Sequence, residues 1–337
     1  MEITEHRTTN ERHSTFYRAC GPDNGPLIIM THGWPELSIS WRHQLAYLGD
    51  RGYRVIAPDM RGYGASSLYS EHAAYAQKEI VQDMVDLIDS LGREKAVWIG
   101  HDWGSPVAWN MALHHPERVA AVASLCVPFG FSGHPKDLEY AINRELYPAD
   151  EYPAGQWDYQ LFYYENFAAA QKEMEDNPER VVKLLFRKGD ATGEGQIAST
   201  ALTRKNGGWF TPLGGVPDLP IDYDVVTDQD VAIYAKHLSE NGFFGPNSWY
   251  VNGDANQAYF DKKPDHTLTM PALFVHATYD YVCDTTNTGF AEPMRQLCQT
   301  LSEHRLNCGH WMAQEKPQEL NDILSQWLDN EASYPAA

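Results

Sequence analysis

Short runs of apolar residues alternate with helix-like segments in the first part of the chain, and this alternation constrains the fold most. The apolar runs lie at 27–30, 53–59, 95–100 and 120–127. Between them, residues 40–49 and 78–92 repeat apolar side chains every three or four positions, as an amphipathic helix does. Buried strands that alternate with helices are typical of a parallel sheet covered by helices. The pattern therefore predicts an α/β fold.

The alternation stops after residue 127 and resumes near residue 271. The intervening stretch of roughly 140 residues is far longer than the dozen or so that a crossover between parallel strands needs. We therefore predict a core domain formed by residues 1–130 and 266–337, and a mainly helical, aromatic-rich cap domain at 131–265. Further helices are predicted at 103–115, 181–189, 228–242, 288–304 and 315–328.

The charge balance argues against two classes of partner. Lys and Arg number 26 against 46 Asp and Glu, which gives a formal net charge of -20. Such a chain repels the phosphates of nucleic acids and the surface of anionic membranes. We therefore expect neither nucleic acid nor a membrane as a partner. Separately, we expect the protein to be a monomer or a homodimer.

The cysteines and the two ends of the chain favour a cytoplasmic protein. The five cysteines are odd in number and contain no C-x-x-C pair, which fits a reducing compartment better than a disulfide framework. The N-terminus lacks the apolar run of a signal peptide, and no apolar stretch approaches the ~20 residues of a membrane span. The last residues also lack the S-K-L peroxisomal signal. A cytoplasmic location is therefore expected.

The segment GHDWG (100–104) joins the third apolar run to the helix predicted at 103–115. A tight strand-to-helix turn with glycine at both ends and a nucleophile in the middle is the pattern of a nucleophile elbow. The turn lifts its central side chain towards the N-terminus of the next helix, where backbone amides favour negative charge. We therefore predict that Asp102 is a nucleophile, although an aspartate at this position could also simply cap the helix.

An aspartate nucleophile restricts the chemistry. Its carboxylate is ionised at neutral pH and needs no base to activate it. It can attack an electrophilic sp³ carbon and form an alkyl ester with the enzyme, whereas a serine at the same position suits acyl transfer. Asp102 therefore indicates a substrate with a leaving group on carbon, which is either an epoxide or an alkyl halide.

Hydrolysis of that ester needs a general base, and histidine is the residue whose pKa suits this work. His310 lies in a short loop between a strand-like segment and the last predicted helix, from which it can reach the elbow. Asp280 follows the apolar run at 271–278 and is predicted to orient the histidine. Asp284 is the competing carboxylate, although its sequence surroundings resemble a helix cap.

Attack of water on the ester creates an oxyanion, which needs hydrogen-bond donors. Backbone amides are the expected donors, one from the residue after the nucleophile and one from the loop after the first apolar run. These positions nominate the amides of Trp103 and Trp34. Glycine and proline on either side of Trp34 are also consistent with an ordinary turn.

At these positions the chain resembles the epoxide hydrolases of the α/β-hydrolase superfamily. The matching motifs are HGWPELSISWRHQ (32–44), DMRGYGASS (59–67), GHDWG (100–104) and CGHW (308–311). The order nucleophile, acid, histidine is also that of the superfamily. The resemblance spans about residues 10–330 and implies an α/β-hydrolase fold. In that fold a mostly parallel central sheet is flanked by helices, and a helical cap is inserted after the sixth strand.

Members of this family hold and protonate the epoxide oxygen with two cap tyrosines. The segments WDYQLF (157–162) and GPNSWY (245–250) match the surroundings of these tyrosines, so the resemblance assigns the role to Tyr159 and Tyr250. It also implies that Gln160 and Trp311 contact the substrate. Two phenol donors can stabilise the leaving oxygen while the ring opens, and one can transfer a proton.

The resemblance implies an epoxide hydrolase that converts a small apolar epoxide and water to a vicinal diol, without a metal or organic cofactor. Detoxification is one of several pathways that this activity would fit. A haloalkane dehalogenase is the nearest alternative, but that family commonly has Asn where this chain has Trp34. A fluoroacetate dehalogenase would resemble the same scaffold with Arg after the nucleophile. The complete set of nucleophile, acid and base also disfavours a ligand receptor that lacks turnover.

Overall fold

A central sheet organises the chain, which the computed structural model describes at residues 1–131, 134 and 138–334. The strands are β1 (Thr4–Thr9), β2 (Ser14–Cys20), β3 (Leu27–Thr31), β4 (Arg54–Pro58), β5 (Ala96–His101), β6 (Val119–Leu125), β7 (Ala272–Ala277) and β8 (Leu301–Leu306). Their order across the sheet is β1-β2-β4-β3-β5-β6-β7-β8. From β4 to β8 all neighbours are parallel, which confirms the predicted α/β-hydrolase fold with a mostly parallel sheet.

The first two strands were not predicted from the sequence. They form an antiparallel pair, and β2 also pairs antiparallel with β4. Strands β3, β5 and β7 bury every side chain and therefore appear as continuous apolar runs. Strand β2 buries alternate side chains, and β1 lies at the exposed edge, so neither contains such a run.

Helices cover the sheet and also fill the long insertion between β6 and β7. They are α1 (Arg42–Asp50), α2 (Gln77–Ser90), α3 (Gly104–His114), α4 (Asp158–Glu175), α5 (Pro178–Leu185), α6 (Thr203–Asn206), α7 (Asp228–Asn241), α8 (Phe244–Ser248), α9 (Gly253–Phe260), α10 (Glu292–Leu297), α11 (Met312–Glu315) and α12 (Pro317–Asn330). Helix α2 buries Ile80, Met84 and Leu87 on one face, as its apolar spacing predicts. Among the described residues, no helix is long and apolar enough to cross a membrane.

The insertion consists of α4 to α9 and their connecting loops, and it begins after the sixth strand as predicted. Helix α7 confirms the segment predicted at 228–242, whereas α5 matches the segment predicted at 181–189 only as far as Leu185. Helix α7 begins with a capping box, in which the Thr227 side chain and Asp230 satisfy each other's backbone amides. It ends at Gly242, whose φ of 69° suits glycine. The division into a core and a cap domain stays a prediction.

The helix predicted at 288–304 is confirmed only at Glu292–Leu297 and is wrong on both sides of it. Helix α10 ends at Leu297, Cys298 is extended, and residues from Leu301 onwards form strand β8. Strand β8 pairs with β7 along its whole length, so tertiary pairing overrides the helical spacing of the local sequence. The helix predicted at 315–328 is confirmed by α12, which starts at Pro317 after a break from α11.

Candidate active site

The turn between β5 and α3 holds Asp102 in a strained conformation. Its φ is 49°, in the left-handed region that residues with a side chain seldom adopt. A Cβ on Gly100 would lie 2.5 Å from the Cα of Ser105, and one on Gly104 would overlap the carbonyl oxygen of Thr31. The glycines of GHDWG are therefore required by close backbone packing. Strain of this kind is found at functional sites, where the surrounding structure maintains it.

Two backbone amides hold the Asp102 carboxylate. The amide of Trp34 donates to Oδ1 at 2.6 Å, and the amide of Trp103 also donates to the carboxylate. Gly33 allows the loop after β3 to approach this closely, because a Cβ there would lie 2.6 Å from the Trp103 nitrogen. The structure thus brings together the two amides that the sequence nominates for an oxyanion hole.

Burial raises the pKa of Asp102, because it penalises the charged form. His310, His101 and the two amides oppose this rise by stabilising the carboxylate. The side chain is 13% exposed, so it is accessible from one side only. A carboxylate that is stripped of water but still held in its charged form is well suited to act as a nucleophile.

Asp280 and His310 follow β7 and β8 and form a tight pair next to the elbow. His310 Nδ1 lies 2.6 Å from Asp280 Oδ2, and His310 Nε2 lies 3.6 Å from Asp102 Oδ2. The other Asp280 oxygen accepts hydrogen bonds from the amides of Val282 and Cys283 at 3.2 and 2.9 Å. Asp280 is therefore fixed on one side by backbone and on the other by the imidazole.

The two groups shift each other's ionisation. Burial disfavours charge on Asp280, but the imidazole and the backbone donors outweigh it and lower the pKa of the carboxyl group. Burial likewise opposes a charge on His310, but the carboxylates of Asp280 and Asp102 raise the pKa of the imidazole well above its ordinary value. The resting site therefore favours a protonated His310.

The competing carboxylate, Asp284, lies in a turn. Its Oδ1 accepts hydrogen bonds from the amides of Thr286 and Asn287 at 3.0 and 2.9 Å. The interpretation of Asp284 as a helix cap is wrong, because the next helix, α10, begins only at Glu292. Asp284 caps a turn instead, and the structure brings Asp280 rather than Asp284 to the histidine.

Tyr159 and Tyr250 line the same cavity as Asp102, and its volume is about 150 Å³. Tyr159 lies in the first turn of α4, and Tyr250 lies in a short 3-10 turn after α8. Their ring centroids are 5.7 Å apart. Burial raises the pKa of both phenols well above 10, so both keep their protons and can donate hydrogen bonds.

The cavity is mostly apolar. It is lined by Trp34, Asp102, Tyr159, Leu185, Thr200, Trp209, Tyr250, Asp280, Val282, Cys283, His310 and Trp311. Trp311 is held there by a hydrogen bond from its indole nitrogen to the carbonyl of Leu185 at 2.5 Å. No pattern in the sequence indicates that Thr200 and Trp209 line this cavity. An apolar wall with few polar groups suits a small apolar substrate.

Gln160 lies outside the main cavity, in the lining of a smaller compartment that also reaches Asp102. Its amide nitrogen donates to the Tyr159 hydroxyl at 3.2 Å. Trp157 also lines this compartment, whereas Phe162 and Tyr163 line neither cavity. Gln160 thus contacts a predicted catalytic tyrosine, and its predicted contact with substrate stays a prediction.

Two buried residues that the sequence analysis did not single out connect the parts of the site. Glu36 accepts hydrogen bonds from the Gly33 amide at 3.0 Å and from His101 Nδ1 at 2.7 Å. The other ring nitrogen of His101 donates to the carbonyl of His310 at 2.8 Å. Because a carboxylate and a carbonyl are both acceptors, each ring nitrogen of His101 is placed to donate, one to Glu36 and one to the His310 loop.

The Glu36–His101 pair is almost completely buried, with 1 and 2% of the His101 and Glu36 side chains exposed. Burial opposes ionisation of Glu36, but His101, His32 and the Gly33 amide lower its pKa to about 2. Both residues belong to motifs quoted above, HGWPE and GHDWG. A single sequence, however, does not indicate that Glu36 and His101 pair in space. Together they tie the loop after β3, the elbow and the His310 loop to each other.

The chain is similar to known epoxide hydrolases. Residues 26–317 match the model of the alpha/beta hydrolase fold family. The chain is 33% identical over 91% of its length to epoxide hydrolase A of Mycobacterium tuberculosis, of which it covers 92%. It is 38% identical over 93% of its length to bifunctional epoxide hydrolase 2 of Sus scrofa, but it spans only about half (53%) of that relative. Epoxide hydrolase A from Mycobacterium thermoresistibile matches with a TM-score of 0.78 and 31% identity, over 98% of this chain and 99% of that one.

Proposed function

The chain belongs to the alpha/beta hydrolase family, and from this we propose that it is an epoxide hydrolase that works through a covalent ester on Asp102. One observation carries the proposal: a carboxylate nucleophile and two buried phenol donors line one apolar cavity. A nucleophile on one side of a strained ring and acids on the other match the needs of epoxide opening. The epoxide hydrolase relatives support the same activity.

In the first half-reaction, an oxygen of Asp102 attacks one carbon of the epoxide. The carbon–oxygen bond of the ring breaks, and the leaving oxygen receives hydrogen bonds from Tyr159 and Tyr250, one of which transfers its proton. Oδ2 is the attacking atom that the contacts favour, because Oδ1 is held by the Trp34 amide. The product is a hydroxyalkyl ester in which Oδ1 has become the carbonyl oxygen.

In the second half-reaction, His310 removes a proton from water, which attacks the Cγ of the ester. Negative charge develops on Oδ1, where the amide of Trp34 already donates, and the amide of Trp103 donates to the same carboxyl group. The alkyl oxygen then leaves with a proton from the imidazole, which releases the diol. The carboxylic acid formed on Asp102 returns its proton to the tyrosinate left by ring opening, which restores both groups. Asp280 keeps the imidazole oriented and stabilises its charged form.

The raised pKa of His310 fits this order of events. A protonated imidazole cannot act as a base, and the charge of Asp102 contributes to its protonation. Ester formation removes that charge, so the pKa of His310 falls once the intermediate exists. The histidine therefore becomes a base at the stage of the reaction that requires one.

We further propose a cap domain, a class of substrate and a cellular location for the enzyme. Residues 131–265 form a cap over the cavity, since the two tyrosines and Trp209 all come from this insertion. The substrate is a small apolar epoxide, with water as the second reactant. A cytoplasmic location is supported by the five cysteines, which are all free thiols.

Product analysis tests the proposed activity. Purified protein is offered styrene oxide and 1-bromobutane in separate reactions, with Asp102→Ala as the control. The expected result is diol from the epoxide, absent in the control, and little bromide release. Bromide without diol would instead indicate a haloalkane dehalogenase and remove the proposed role of the tyrosines. Absence of both products would favour a ligand receptor over an epoxide hydrolase.

A further inference from the structure

Two buried thiols lie next to the proposed acid–base pair, and the mechanism above uses neither. Cys126 follows β6, and Cys283 lies three residues after Asp280. One ligand atom each from Cys126, Cys283, Asp280 and His310 lies within 4.8 Å of all the others. We propose that these four side chains, here called the thiol cluster, bind a thiophilic divalent cation such as Zn²⁺ or Cd²⁺. Binding there would inhibit the enzyme, an inference that rests on the proposed function of Asp280 and His310.

The donor set suits such a cation. Structural zinc sites use cysteine and histidine, with carboxylate as a further ligand, in tetrahedral geometry. In that geometry, with metal–ligand bonds of about 2.0 to 2.3 Å, neighbouring ligand atoms lie about 3.5 Å apart. The thiol cluster must therefore contract by little more than about 1 Å, which small side-chain rotations can provide.

The backbone around the thiols is held in place. Cys126 has a φ of 61°, an uncommon conformation for a residue with a side chain, and it is completely buried. The Cys283 amide donates to Asp280 Oδ1 at 2.9 Å, which fixes this turn against the acid. A site with a rigid backbone loses little conformational entropy when the cation binds.

The cation can reach the cluster through the substrate cavity. Cys283, Asp280 and His310 all line that cavity, and Cys126 lies behind them. The formal net charge of -20 attracts cations to the protein. Binding exchanges two thiol protons and any proton on the imidazole for the metal, and these protons pass to the buffer.

The consequence for catalysis is specific to one step. A metal on His310 and Asp280 removes the base that hydrolyses the ester, whereas ring opening needs Asp102 and the tyrosines. The inhibited enzyme should therefore consume one equivalent of epoxide and stop as the ester. The ligands come from three distant segments of the chain, which explains why no metal-binding spacing is visible in the sequence.

Binding is tested first without any substrate. The full chain, with its thiols kept reduced, is titrated with Cd²⁺ while the ultraviolet charge-transfer absorption of cadmium–thiolate bonds is recorded. The expected result is a saturable absorption that Cys126→Ala and Cys283→Ala each diminish. Cys298→Ala is the matched control, because Cys298 is also a buried thiol but lies outside the cluster. Absence of the absorption, or equal absorption in all variants, would overturn the site.

Inhibition is then measured with Zn²⁺, and each variant is compared with its own metal-free rate. Loss of either thiol should raise the Zn²⁺ concentration for half-inhibition at least about tenfold, since loss of even an outer-sphere contact can cost that much affinity. Intact-protein mass should reveal the trapped ester in the wild type. Diol released at the normal rate by the Zn²⁺-loaded protein would overturn the inhibitory role. Cadmium–thiolate absorption in a protein that opens no epoxide would instead refute the proposed function and leave the cation site standing.

Discussion

The floor of the cavity, formed by Asp102, Asp280 and His310, is held by hydrogen bonds, whereas its roof, formed by Tyr159 and Tyr250, is held by ring packing. On the floor, backbone amides fix Asp102 and Asp280 at distances from 2.6 to 3.2 Å. In the roof, Tyr250 stacks on Tyr163 with ring centroids 4.7 Å apart and meets Trp103 edge-on at 5.1 Å. Ring packing is less directional than hydrogen bonding, so the roof can adapt to a substrate while the floor keeps a fixed geometry.

The difference has a mechanistic meaning. The floor must hold charge in a buried place, which requires donors at fixed positions. The roof contributes neutral phenols, whose burial keeps them protonated. In the proposed mechanism, the phenols of the roof act in ring opening, whereas His310 and Asp280 on the floor act in ester hydrolysis. The predictions below separate the two regions, from the largest expected effect to the smallest.

The largest effect is expected for His310→Gln. Turnover should fall about 10³-fold, because the loss of a general base typically costs 10² to 10⁴. Ring opening should continue, so the alkyl-enzyme ester accumulates and the intact protein gains the mass of one epoxide. The measurement combines steady-state diol formation with mass spectrometry after a short incubation.

His304→Gln is the matched control for this change, because it removes the same side chain from β8 outside the cavity lining. It should turn over like the wild type and carry no added mass. A His310→Gln variant that releases diol freely would remove this residue from the floor's proposed role.

The next largest effect is expected in the roof. Tyr159→Phe and Tyr250→Phe should each slow ring opening by up to about 10²-fold, the cost of one donor to a developing oxyanion. Hydrolysis of a preformed ester should be unaffected, and no ester should accumulate. Rapid-quench measurements of epoxide consumption in a single turnover distinguish these steps.

Tyr163→Phe provides the control within the same stack of rings. Tyr163 packs against Tyr250, but its side chain is outside the cavity lining. Loss of its hydroxyl should leave ring opening within a few-fold of the wild type. An equal loss of rate in all three variants would mean that the roof acts by packing alone and not by donating hydrogen bonds.

The three residues of the floor could be predicted from the sequence better than the residues that surround them and hold them in place. Asp102, Asp280 and His310 each follow a strand of the parallel part of the sheet, and the ends of parallel strands meet at one edge. Strand order and short motifs were therefore enough to bring them together. Tyr159 and Tyr250 needed the family resemblance, because a lid of aromatic residues has no periodic signal of its own.

Other features depended on contacts between distant segments. The Glu36–His101 pair joins residues 65 positions apart, and no local sequence pattern indicates that the two residues pair. Strand β8 was assigned in part to a helix, because its pairing with β7 is invisible in the local spacing. In both cases, tertiary contacts determine a structure that the local sequence propensity leaves ambiguous.

A change of pH is expected to have a smaller effect on the rates. It should affect ester hydrolysis, which depends on the floor, differently from ring opening, which depends on the roof. Ester hydrolysis should fall about tenfold for each pH unit below the pKa of His310 in the intermediate, because only the neutral imidazole is a base. Ring opening should not follow this curve, since the phenols keep their protons and the rate falls only where the Asp102 carboxylate itself becomes protonated. Single turnovers at a series of pH values measure both steps. A ring-opening rate that follows the same curve would contradict the separation.

The smallest effect on rate is expected for Glu36→Gln, which touches neither substrate nor reacting atoms. The variant deprives the buried His101 of its carboxylate partner, which should lower the free energy of unfolding by about 2 kcal/mol. Turnover should fall only a few-fold, since His101 still binds the His310 carbonyl and the loop shifts slightly. Glu5→Gln is the control, because Glu5 pairs with Arg18 at the surface, and an exposed pair contributes less than about 1 kcal/mol. Equal unfolding midpoints for the two variants in urea would show that the buried pair does not support the floor.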